Sequence, residues 1–150
     1  EEIHFNTAAL ALLGLLTTAN IAVGVFYWSD ILASLFGDDQ ATRAAASMFI
    51  QAFAIAGVLW TLSRIYSGAL QGGGETTKPF LAEIVGGTGL LLGITYIVGV
   101  LLGVGVLAAY AGIVISGVAR LLLVFAWYRD AGWMESALDG MQMRGSISND

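Results

Sequence analysis

The chain has 150 residues, 57% hydrophobic and 11% charged, with a net charge of −5. Soluble domains carry about 25% charged residues, so the composition belongs to the membrane class. The absence of cysteine excludes disulfides, thiol nucleophiles and cysteine metal sites, and the acidic balance argues against nucleic-acid binding.

The start, EEIHF, is acidic and lacks the positive leader of a secretory signal, so the chain reads as the C-terminal piece of a longer protein. Arginine outnumbers lysine, and an acid-rich, lysine-poor surface points to a halophile. The first apolar run, Ile3 to Ser29, carries no formal charge and crosses a bilayer once, since about 20 apolar residues suffice. Tyr27 and Trp28 close it as an interfacial anchor. Ile31, Leu32, Leu35 and Phe36 follow helical spacing and predict a short surface turn ended by Gly37. Asp38 and Asp39 then open the next helix at its positive end.

A second span covers about 44–71 and a third starts at Pro79, a residue favoured in the first helical turn. The uncharged stretch from Ile84 to Ala119 is too long for one crossing; Gly103 and Gly105 break it into a tight hairpin. The predicted spans are therefore about 6–29, 44–71, 79–102 and 107–128, with a polar tail over 130–150. Four crossings put both termini on one side, with the glycine-rich turn near Gly72–Lys78. Arg64, Lys78, Arg120, Arg129 and Arg144 fall towards that side and Arg43 towards the other, so it is expected to be cytoplasmic.

Three charges lie inside the spans. At 1.5 Å rise per residue, Arg64, Glu83 and Arg120 sit roughly 10, 6 and 12 Å from their span ends, all at similar depth. Either Glu83 pairs with Arg64 or Arg120 in an ion cluster, or each side chain snorkels alone to the headgroups. No catalytic or metal site is expected: His4 has no ligand partner at suitable spacing, and Asp38–Asp39 read as helix caps. Thr17, Thr18, Asn20, Ser47, Gln51 and Thr61 are uncharged polar residues within the spans. They serve helix-to-helix hydrogen bonds, or a polar, aromatic-lined cleft for an amphipathic solute in which Asn20, Gln51 and Trp60 are the binding candidates. Glycines four apart at 68/72, 89/93 and 99/103 predict close helix packing.

The stretch SGALQGGGETTKPF could be a phosphate loop or a membrane-surface turn. A phosphate loop needs lysine followed by serine or threonine between a strand and a helix, whereas Lys78 precedes Pro79 between two apolar helices. Gly68, Leu70, Gly72, Gly74, Glu75, Thr76 and Pro79 instead resemble the turn motif of the multidrug and toxic compound extrusion (MATE) family, with Glu75 where aspartate is commoner. FGDD before it and the Gly103, Gly105, Ala108 hairpin after it extend the resemblance over about residues 5–130.

The resemblance implies an all-α membrane protein whose four helices are the last of a twelve-helix, two-lobed transporter. Its partners would be membrane lipid, cationic or amphipathic solutes and the preceding eight helices. It implies alternating access driven by inward Na⁺ or H⁺ flow, with no cofactor and no bond-making chemistry. Some branches of the family carry a coupling carboxylate in the helix matching residues 44–70; this chain has none there, which places the coupling site in other helices. A flippase for lipid-linked oligosaccharides and a non-transporting scaffold are the alternatives.

Overall fold

The computed structural model describes residues 2–130, so Arg144 and all but the first residue of the 130–150 tail lie outside it. Four helices are long and apolar enough to cross a membrane. They are α1 (Glu2–Tyr27), α3 (Gln40–Gly72), α4 (Thr77–Leu101) and α5 (Val106–Arg129), with the short α2 (Ser29–Ala33) after α1. No strand occurs among the described residues.

Helix boundaries follow local chemistry. The Asp39 carboxylate accepts from the Thr42 N–H at 2.9 Å, so α3 starts at Gln40 rather than near Ala44. Asp38 does not cap: it pairs with Arg43 at 3.1 Å, while Arg43 Nε also donates to the Gly37 carbonyl. With 33 residues, α3 is about 50 Å long. A bilayer core is about 30 Å thick, so the ends of α3 stand outside the apolar slab.

At the far end of α3, Glu75 N–H bonds to the Leu70 carbonyl and Gly74 N–H to the Gln71 carbonyl, both at 2.9 Å. This bond pair is a Schellman cap, which needs a left-handed residue at its second-last position. Gly74 supplies it with φ of 88°. Glu75 Oε1 then accepts from the backbone N–H groups of Thr77 and Lys78, at 3.2 and 3.3 Å. The Glu75 side chain thus caps the following helix, and the Thr76 side chain makes no cap bond. The helix starts at Thr77, two residues before Pro79, whose missing N–H falls among the first-turn donors that have no helical partner.

In α4 two segments widen to i→i−5 bonding, Ala82–Gly89 and Thr95–Leu101; Leu102 N–H continues this pattern to the Ile97 carbonyl at 3.0 Å. The first widened segment brings Gly86 against α5, where an added Cβ would lie 3.0 Å from the Arg120 Cα. The hairpin between α4 and α5 turns through Gly103 and Gly105, with φ of 71° and 75°.

α3 is the central helix, packed against α1 on one side and α5 on the other. At one end of the bundle His4 hydrogen bonds with the Tyr128 hydroxyl at 2.8 Å, and Leu70, Ala82, Val124 and Tyr128 form a buried cluster. The starts of α1 and α4 therefore lie with the ends of α3 and α5. At the other end the Tyr110 hydroxyl donates to the Ala45 carbonyl at 2.8 Å. Most large apolar side chains of α1 and α4 are exposed, as in helices that meet lipid or further helices.

Glycine packing departs from the four-residue spacing read in the sequence. Gly68, Gly72, Gly93 and Gly103 have open space where a Cβ would stand. Close approaches occur at Gly14 against Ile65, Gly86 against Arg120, Gly112 against Leu91 and Gly117 against Leu59, together with Gly99 against the Gly105 carbonyl. Spacing identifies a small face, but the partner helix decides which part of it is covered.

Candidate functional site

Several cavities flank α3, and two of them differ sharply in chemistry. The first, about 380 Å³, lies between α1 and α3 and is lined by Thr18, Ile21, Phe49, Phe53, Gly57 and Thr61 among others. Its only polar side chains, two threonines, are already engaged. Thr18 donates to the Gly14 carbonyl and Thr61 to the Gly57 carbonyl, each one turn back along its own helix. An aromatic row runs along the same helix. Phe49 and Phe53 rings are 4.5 Å apart, Phe53 meets Trp60 edge-on at 5.4 Å, and Tyr110 of α5 meets Phe49 at 6.1 Å. Aromatic faces carry negative quadrupole charge and attract organic cations without a carboxylate.

The second cavity, about 570 Å³, lies between the end of α3, the start of α4 and α5. A smaller space of about 280 Å³ continues it towards Trp60 and Ser116, and Arg64, Glu83 and Arg120 line both. Arg120 Nη1 sits 2.6 Å from Glu83 Oε2, so the expected cluster contains an ion pair between α4 and α5. Arg64 lines the same space but, among the described residues, makes no ion pair. The widened first segment of α4 carries Glu83, and Gly87 leaves room for the pair: an added Cβ there would stand 3.1 Å from Glu83 Oε1.

The sequence candidates separate in space. The Asn20 amide donates to the Leu16 carbonyl of its own helix at 2.6 Å. The Gln51 amide donates to Ser29 Oγ at 2.9 Å, and Ser47 donates to Asp30 Oδ1 at 2.7 Å while its Oγ lies within hydrogen-bond distance, 3.1 Å, of Ser29 Oγ. This polar node ties α2 to α3. Trp60 lines the smaller space beside Arg64. Gly68 and Pro79 line the charged cavity, and Gly72, Gly74 and Glu75 form the turn below it.

Sequence reasoning missed Ser29 and Asp30 as the anchor of the node, and Ser67 and Thr77 as cavity lining. The pairing of a short helix with α3 depends on three-dimensional register, but Ser29-Asp30 directly after an aromatic anchor was a usable signal.

Four helices long and apolar enough to cross a bilayer define a multi-pass membrane protein. The MatE family model matches residues 1–97, and the chain belongs to that family of MATE-type transporters. The match spans α1 to α3, the glycine-rich turn and most of α4, and stops short of the second hairpin. No curated protein and no solved structure matches the chain.

Proposed function

We propose that the chain forms the last four helices of a polyspecific efflux antiporter that exports cationic, amphipathic compounds by alternating access. The observation that supports it best is the aromatic row of Phe49, Phe53 and Trp60 along the central helix of a MATE family member, joined by Tyr110 of α5. Lipophilic cations bind such faces through apolar burial and cation–π attraction. Trp60, and Gln51 and Asn20 once released from their present partners, would complete the contact with solute.

The glycine-rich turn is a mechanical joint in this reading. Its Schellman cap and the Glu75 cap hold α3 and α4 in one pose, and the Glu83–Arg120 pair fixes α4 to α5, so that these helices rock as a body. Both termini and this turn face the cytoplasm. Among the described residues, Glu83 is the only carboxylate well inside a span, and Arg120 holds it. Coupling to Na⁺ or H⁺ then rests on carboxylates of the preceding helices.

The test is export of a fluorescent lipophilic cation from vesicles containing the full-length protein. An imposed Na⁺ or H⁺ gradient should drive it. Folded protein that exports nothing under either gradient, but moves a lipid-linked oligosaccharide, would establish the flippase alternative instead.

A further inference from the structure

We propose that the cavity between α3, α4 and α5 holds a phosphodiester anion, the headgroup of an anionic phospholipid, gripped by Arg64 and Arg120. Three observations support this. Its wall carries two arginines and one glutamate, so one positive charge stays uncompensated in a protein whose net charge is −5. Arg120 is 7% exposed, and its Nε is the one buried side-chain polar atom among the described residues that has no hydrogen-bond partner. A buried guanidinium N–H without an acceptor costs free energy that an oxyanion would recover. Glu83 occupies Nη1 and leaves Nε without an acceptor, so Arg120, on the cavity wall, keeps donor capacity for a second oxygen.

The lining also fits the shape of the ligand. Arg64 reaches the cavity from α3, and Ser67, Gln71 and Thr77 add hydroxyl and amide groups on the side nearest the turn. Phe80 and the exposed apolar flank of α4 continue from that rim, where acyl chains would lie. Guanidinium groups match phosphate oxygens in paired geometry, which ammonium groups cannot do. A phosphodiester carries one negative charge and neutralises the wall; a dianionic phosphate would overshoot it. A cationic solute is repelled by the same wall, so the site does not depend on the transport reading; of the aromatic row only Trp60 reaches the smaller adjoining space.

The experiment measures thermal protection of the full-length protein in uncharged detergent. The probes are short-chain phosphatidylglycerol, the diacylglycerol of equal chain length, and inorganic phosphate. Phosphatidylglycerol should protect and diacylglycerol should not. Arg64→Gln should weaken the phosphatidylglycerol midpoint about tenfold, the effect of one lost charge-assisted contact. Arg64→Lys should recover part of that loss. Glu83→Gln should shift the midpoint the opposite way, to tighter binding, because it removes the competing negative charge; this readout stands even where Arg64→Gln fails to fold. Protection by inorganic phosphate alone, equal to that by phosphatidylglycerol, would keep the oxyanion site but overturn its assignment to lipid. Equal protection by phosphatidylglycerol and diacylglycerol, or a midpoint indifferent to Glu83→Gln, overturns the proposal.

Discussion

The two faces of α3 solve opposite problems. Between α1 and residues 49–61 of α3, the two threonines of the lining, Thr18 of α1 and Thr61 of α3, each return to their own helix and leave an apolar, aromatic hollow. Towards α4 and α5, the same helix presents Arg64 to a second arginine and a glutamate. One helix can hold both because residues about three and a half apart share a face, while those half a turn apart are separated by the helix body. The comparison shows that polar content alone does not locate a site in a membrane helix. What distinguishes the faces is whether each polar group is already satisfied within the fold.

Breaking the charged face should have the largest effect on stability. Glu83→Ala leaves Arg120 nearly buried without its partner; removal of one member of a fully buried pair costs about 3–5 kcal/mol. Glu83 is itself 45% exposed, so water screens part of the loss and about 2 kcal/mol is expected. Denaturation of the protein in detergent measures it, and an unchanged midpoint would show that the pair is not structural. Next comes the close approach that brings the pair together. Gly86→Leu forces a side chain against the Arg120 backbone and should cost about 1–3 kcal/mol. Gly93→Leu, facing open space, is the matched control and should cost little.

The polar node beside the aromatic hollow should rank lower. Ser29→Ala removes the oxygen to which Gln51 donates and the hydroxyl beside Ser47, a loss of about 1–2 kcal/mol when the amide stays dry. At the turn, Gly74→Ala should cost about 1 kcal/mol through its left-handed backbone, whereas Gly72→Ala should be neutral or slightly stabilising.

The smallest effect is a pH dependence at the other end of α3. The Thr42 backbone N–H, with the Thr42 hydroxyl, holds the Asp39 carboxyl below the usual carboxylate range. A depressed folded value stabilises the native state above the unfolded value, and that gain is lost as pH falls through the folded one. The stability difference between the parent and Asp39→Ala should therefore shrink in acid below about pH 4. A difference that stays constant would mean that the carboxylate charge contributes nothing to the cap.

Much of this architecture was legible from hydropathy and punctuation. The acid pair FGDD, the triple glycine before Pro79 and the Gly103–Gly105 break each marked a real helix boundary, because caps and left-handed glycines are local chemistry. The common depth of Arg64, Glu83 and Arg120 was also readable, since rise per residue fixes it. Which arginine takes Glu83 was not, for that depends on the facing of α4 against α5. The widened turns of α4 change that facing, and no residue pattern announces them. The glycines that support packing were likewise hidden, because Gly86 and Gly112 are defined by the neighbours they meet rather than by their spacing.

The division of labour between the two faces rests most directly on the aromatic row. The concentration dependence of gradient-driven cation export should be compared for the parent, Phe53→Ala and Phe53→Trp. Loss of one exposed cation–π contact is about 0.5–1 kcal/mol, so Phe53→Ala should raise the half-saturating concentration roughly twofold to fivefold, and Phe53→Trp should restore it. A half-saturating concentration that is the same in all three proteins would contradict the assignment of solute to this face of α3.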